Sequence, residues 1–112
     1  MSADFTMYSG DTKLLEITVL DQDGDPVDLT GATVKWQMAK KVTSDTPVLS
    51  KEIGSGVVIM NPTAGRFDIS LQPADTAAIK GAYYHEAEIT ESGGDVATVL
   101  AGTITILPDL IQ

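Results

Sequence analysis

Apolar residues in this chain recur at every second position, in short runs parted by clusters of Gly, Pro, Asn and Asp. Leu15, Ile17 and Val19 alternate with Glu16 and Thr18, and Phe67, Ile69 and Leu71 alternate with Asp68 and Ser70. Val34, Trp36 and Met38 alternate with Lys35, Gln37 and Ala39. Tyr83, His85, Ala87 and Ile89 share one parity, and Tyr84, Glu86, Glu88 and Thr90 share the other. Successive side chains of an extended chain point to opposite faces, so each run buries one face and wets the other. Helices at these places would scatter the apolar residues around their circumference. The chain is therefore built of half-buried strands.

Turn clusters punctuate the runs: Asp21-Gln22-Asp23-Gly24-Asp25-Pro26, Asn61-Pro62-Thr63-Ala64-Gly65 and Glu91-Ser92-Gly93-Gly94-Asp95. The alternation predicts seven to eight strands, near 4–8, 13–20, 32–40, 47–52, 56–60, 65–71, 82–90 and 96–107. In the last of these Thr98, Leu100, Ile104 and Ile106 fall on one parity, and Gly102 among them marks a bulge or close contact. One stretch, Pro73 to Ile79, reads helical, with Pro in its first turn and Gly81 as a stop. It is a short crossover and not a layer. Thr43, Ser44, Asp45 and Thr46 form a polar row between Val42 and Pro47, a candidate exposed loop. The expected organisation is a single β-sandwich domain over 1–107 with a short tail, 108–112.

Tyr83 opens a strand that follows the helical crossover, two residues before His85. In immunoglobulin-like sandwiches a Tyr so placed closes a corner by donating its hydroxyl to upstream backbone, and a Trp on an earlier strand fills the core. Tyr83, His85 and Trp36 are accordingly expected in the core of an all-β, immunoglobulin-like antiparallel sandwich. Any antiparallel barrel with a buried Tyr fits the same residues.

Composition narrows the function. Asp and Glu number 16 against 7 Lys and Arg, a formal net charge of −9, and aromatics make up 5% of the 112 residues. That balance disfavours nucleic acid, which needs clustered Lys and Arg, and equally an anionic lipid surface. The sequence has no Cys, which removes disulfides, thiolate metal sites and Cys nucleophiles together. The start, Met1-Ser2-Ala3-Asp4, has neither a basic n-region nor an apolar h-region. The expected product is made in a cytoplasm and either stays there or is assembled there into something larger.

No constellation of side chains reads as a catalytic site. His85 is the only His and lies on the apolar parity, while Glu86 and Glu88 lie on the other. A general base needs its partner within hydrogen-bond reach. Asp21, Asp23 and Asp25 alternate as oxygen ligands for a hard cation would, but the positions an EF-hand reserves for Gly and Glu hold Pro26 and Ala32. They are weak metal candidates; the expected reading is an Asp-Gly turn joining strands at Leu20 and Val27, with Asp and Gly there for backbone reasons. Tyr84, Glu86 and Glu88 form an outward set suited to a protein interface. In the tail, Leu110 and Ile111 follow Pro108 without a strand partner, so they either add to a neighbour's sheet edge or pack back on their own domain. No enzyme activity and no cofactor is expected.

Five segments stand out together: Phe5-Thr6-Met7-Tyr8 with Gly10-Asp11-Thr12, Asp25-Pro26-Val27-Asp28-Leu29-Thr30-Gly31-Ala32, Val34 with Trp36, Gly65-Arg66-Phe67, and Tyr83-Tyr84-His85-Glu86. In this layout they resemble the N-terminal domain of bacteriophage baseplate upper proteins and its small stand-alone relatives. The resemblance implies an immunoglobulin-like sandwich serving as a structural part of a tailed-phage particle, in the baseplate, tail, neck or capsid decoration. It implies contacts with other phage structural proteins or further copies of the chain, and a place in the virion after synthesis in the host cytoplasm. The alternative is a carbohydrate- or host-surface-binding sandwich, which would need outward aromatics gathered on one face.

Overall fold

A computed structural model of the chain describes residues 4–41 and 46–108. It contains eight strands: β1 (Phe5–Tyr8), β2 (Lys13–Thr18), β3 (Thr33–Ala39), β4 (Leu49–Ile53), β5 (Gly56–Asn61), β6 (Arg66–Leu71), β7 (Gly81–Thr90) and β8 (Val96–Leu107). They pair in the order β1-β8-β7-β3-β4-β5-β6-β2. The run folds over between β4 and β5, where pairing is confined to Glu52 with Gly56 and Ile53 with Val57. One layer is thus β1-β8-β7-β3-β4 and the other β5-β6-β2, an immunoglobulin-like sandwich curled almost into a barrel. The free edges approach one another, with Lys13 Nζ of β2 lying 5.5 Å from the ring centroid of Phe5 in β1.

The inner faces meet in one apolar cluster. Trp36, Phe67, Leu29, Met38, Ile69, Leu71, Leu100, Ile104 and Ile106 are all fully or almost fully buried there. Leu29 comes from a loop. Its entry is shaped by Asp28, whose Oδ1 accepts from the Thr30 amide at 2.9 Å and the Thr30 hydroxyl at 2.6 Å. Those hydrogen bonds hold the Asp28 carboxyl below its usual range. The loop is fixed to the opposite turn by the Leu29 amide donating to the Pro62 carbonyl. The segment Asp28-Leu29-Thr30-Gly31 is therefore a plug at one end of the sandwich.

The structure departs from the sequence expectations at four places. The sheet is mixed, because β1 runs parallel to the end of β8 and the β4–β5 corner is also parallel. The register break in β8 falls between Leu100 and Thr98 rather than at Gly102, which pairs in register with His85. The extra residue, Val99, reverses the parity, so Thr98 stands beside Glu88 and is exposed instead of sharing the inner face with Leu100. The helix is one turn, α1 (Pro73–Thr76), and stops short of Ile79. The Ser9 hydroxyl takes the Thr76 carbonyl at 2.7 Å and lies 3.3 Å from that of Ala77, and the Thr76 hydroxyl accepts from the Gly10 amide, so this turn is committed to the end of β1. Finally, the cluster Asn61 to Gly65 contains a 3-10 turn over Pro62–Ala64. Of the candidate polar loop, Thr46 is exposed, and residues 43–45 lie outside the described residues.

Gly65 closes that turn with φ +69°, a left-handed conformation. A Cβ there would sit 2.6 Å from the Val19 carbonyl oxygen and 2.9 Å from that of Val27, both rigid backbone. The turn can approach the backbone of Val19 and Val27 this closely only without a side chain. Gly65→Ala is expected to destabilise the fold by about 2–4 kcal/mol, the sum of left-handed strain and displaced backbone. Denaturant unfolding checks this, with an unchanged midpoint contradicting it.

Candidate interaction surface and the sealed core

The polar side chains of the interior are spent on one another. Trp36 on β3 and His85 on β7 lie diagonally across the inner face, and the indole Nε1 donates to His85 Nδ1 at 3.0 Å. Both residues are 0% exposed. Accepting this bond leaves Nδ1 without a proton, which places the proton of a neutral ring on Nε2. Phe5 meets the imidazole edge-on, with centroids 5.6 Å apart, and the indole lies 6.0 Å away in the same manner. Small residues make room for these rings: Ala87 pairs with Trp36, and Gly102 pairs with His85. Two residues before His85, the Tyr83 hydroxyl donates to the Lys80 carbonyl at 3.2 Å and closes the corner into β7. Trp36, Tyr83 and His85 thus form a buried polar and aromatic knot in which every side-chain donor and acceptor is engaged.

Outside, the broad face of β8-β7-β3-β4 carries the residues of opposite parity. Tyr84 is half-buried, and its hydroxyl donates to Glu86 Oε2 at 2.8 Å. That bond, helped by partial burial and the nearby negative charge, pushes the Tyr84 phenol above its ordinary value. Glu88 is exposed and pairs in register with Lys35, which pairs on its other side with Glu52. These three residues, with Thr33, Val34, Ile53 and Thr90, line a shallow groove of about 230 Å³. Acidic and neutral side chains dominate this face.

The other sequence candidates fall in different surroundings. Asp21 Oδ1 accepts from the backbone amides of Asp23 at 2.9 Å and Asp25 at 3.0 Å, which shapes the turn that carries all three. Among the described residues no three His, Asp or Glu side chains are grouped closely enough to hold a metal ion. Leu110 and Ile111 lie outside the described residues. Of the aromatic rings, only Tyr8 is largely exposed, at 52%.

Sequence reasoning passed over two tethers. Lys51 of β4 meets Asp75 of α1 at 2.8 Å, in a mostly shielded ion pair. On the outside of the second layer, Arg66 spans Asp68 at 3.2 Å and Glu16 at 3.4 Å. The Asp68 hydrogen bond raises the already high guanidinium value. Arg66 and Asp68 are two residues apart on one strand, and Glu16 pairs opposite Asp68, a spacing that could have announced the triad.

With this geometry in place, comparison with known proteins is informative. The profile of one protein family, the BppU N-terminal domain, matches residues 1–112. The chain belongs to that family. It is therefore a BppU_N protein, a structural protein of the phage baseplate, and the virion is its setting. No curated protein sequence matches it. Among solved structures it resembles CopC from Methylosinus trichosporium OB3b, with 12% identity, a TM-score of 0.54, and coverage of 99% of this chain and 90% of that one. At that identity the likeness concerns the fold alone. AggA, the major subunit of aggregative adherence fimbriae type I from Escherichia coli, aligns at 14% identity and a TM-score of 0.36, over 94% of this chain and 90% of that one.

The Tyr84–Glu86 bond yields a direct test. Folded Tyr84 holds its proton more tightly than the unfolded chain does. Its contribution to stability is therefore present below the ordinary value near 10 and is lost as pH rises through the higher folded value. In an NMR titration of the Tyr84 ring, the midpoint is expected above 10 in the native chain and lower in Glu86→Ala. Identical midpoints would remove Glu86 as the cause.

Proposed function

We propose that this BppU_N chain acts without catalysis, as a structural part of the phage particle that holds its neighbours through protein–protein contacts. The observation that carries the reading is the family match along all 112 residues, which leaves no stretch outside it. The chemistry of the interior supports it. The chain's one histidine is sealed in the core against an indole, so it is not available as an acid or base to any outside substrate. The outer faces offer acidic and neutral side chains on rigid strands, a suitable basis for docking other virion proteins. The neighbours are other phage structural proteins or further copies of the chain. No catalytic residue, cofactor or resident metal enters this reading. A carbohydrate-binding role gains little from the structure, because Trp36 and Tyr83 are buried, Tyr84 is half-buried and Tyr8 stands apart on β1.

The test is made on particles. Phage carrying an epitope-tagged copy would be purified and separated into heads and tails, and each fraction probed for the chain. It is expected in the tail fraction at a fixed ratio to the other baseplate proteins. Particles of full infectivity that contain none of it would overturn the proposal.

A further inference from the structure

The outer face of the larger layer ends in a step. β3 begins at Thr33, but β4 pairs with it only as far as Glu52 opposite Lys35 and stops at Ile53. The step leaves the groove of about 230 Å³ between β3, β4 and β7. Thr33, Lys35, Glu52, Ile53 and Glu88 on its walls are all exposed, Ile53 by 42%, so the groove opens to solvent.

Glu52, Lys35 and Glu88 stand in one line across β4, β3 and β7. Neighbouring strands lie about 5 Å apart. Even so, among the described residues Lys35 forms an ion pair with neither glutamate. The groove therefore carries two carboxylates that no cation of the chain holds. The smaller layer displays the completed counterpart. There Glu16 and Asp68 face each other across two strands, and Arg66 spans them at 3.4 and 3.2 Å. A planar guanidinium has five donors and serves two carboxylates from one position, whereas an ammonium is a compact, strongly hydrated point charge. Lys35 and Arg66 show that difference within one molecule.

Charge and shape select the occupant. A cation balances the excess carboxylate of the groove, and the exposed wall of Ile53 offers apolar contact to the methylene stem of a long side chain. Arginine brings both. The strand positions of Glu52 and Glu88 are about 10 Å apart, two inter-strand spacings, which two glutamate side chains closing on one guanidinium can cover. A second copy cannot supply the group. Arg66 is the chain's only arginine and is committed to Glu16 and Asp68, and two chains of −9 repel one another.

We infer that this groove seats an arginine side chain of a different protein, its guanidinium between the carboxylates of Glu52 and Glu88 and its stem along Ile53. An arginine seated in a pocket is a common anchor of protein interfaces. The inference rests on the reading of the chain as a protein-contact module and adds the place and chemistry of one contact.

The test uses the full chain, isotope-labelled, and three synthetic peptides. They are acetyl-Gly-Val-Arg-Val-Gly-amide and its counterparts with Lys or with citrulline, the neutral isostere of arginine, in place of Arg. The arginine peptide is expected to shift the amide signals around Lys35, Ile53 and Glu88. It should bind at least about tenfold more tightly than the citrulline peptide, with the gap closing as salt rises, and also more tightly than the lysine peptide. Glu52→Gln and Glu88→Gln should each weaken it about threefold, while Lys35→Gln, which removes a like charge, should tighten it. All three positions are exposed, so native spectra are expected throughout. No binding of the arginine peptide, a citrulline or lysine peptide that binds as well, or shifts centred on the acidic turn Asp21–Asp25 would each overturn the inference. Peptide binding is read on the chain by itself, so a failure here leaves the structural role, tested by incorporation into tails, untouched.

Discussion

The hydrogen bond between the Trp36 indole and His85 Nδ1 is the interaction around which the rest of this sandwich is arranged. An indole buries about 150–250 Å² of largely apolar surface but brings an N–H that must find an acceptor once water is excluded. His85 supplies that acceptor from the neighbouring strand, and in doing so is itself made tolerable in the interior. The choice of partners follows. Gly102 and Ala87 must be small opposite such rings, and Phe5 closes the imidazole from the edge strand. The Tyr83 corner, two residues upstream, fixes the start of the strand that delivers His85. A chain with no cysteine has no disulfide between its layers. Here directional bonding and ring packing hold the centre of the core.

The same arrangement separates the interior from the function. The imidazole of His85 and the phenol of Tyr83 are turned inward and bonded. The broad outer face carries Tyr84, Glu86, Lys35 and Glu88 on paired strands, groups able to recognise shape, charge and hydrogen-bonding pattern. For the contact role proposed above, paired strands give the body its shape, and the excess of acidic residues, many of them at turns and on outward faces, gives its surface a negative charge.

Most of the fold was legible from the sequence because period-two alternation is a local signal, and local signals survive without knowledge of neighbours. The boundaries of β3, β6 and β8 were read to within a residue or so, and the turn clusters fell between strands. What escaped was non-local. The parallel pairing of β1 with β8 joins segments about a hundred residues apart, and nothing within either segment encodes it. The bulge at Val99 is invisible to parity counting, since Thr98 and Leu100 look equivalent until the ladder to β7 is known. Leu29 reads as a loop residue among Asp, Thr and Gly, and only the end of the sandwich shows why it is buried. At the surface, Tyr84, Glu86 and Glu88 could be placed on the outward face from parity alone. That Tyr84 bonds Glu86 depends on side-chain geometry that parity does not give.

The central claim is that Trp36 and His85 act as one unit, and a double-mutant cycle measures that most directly. Stability would be determined for the native chain, Trp36→Phe, His85→Leu and the combined variant. Each single change strands a buried polar atom of its partner, and the combination removes both, so losses should fall short of additivity by about 1–3 kcal/mol. Single and combined losses that add to within about 0.5 kcal/mol would show that the two residues merely pack near one another, and would contradict the account.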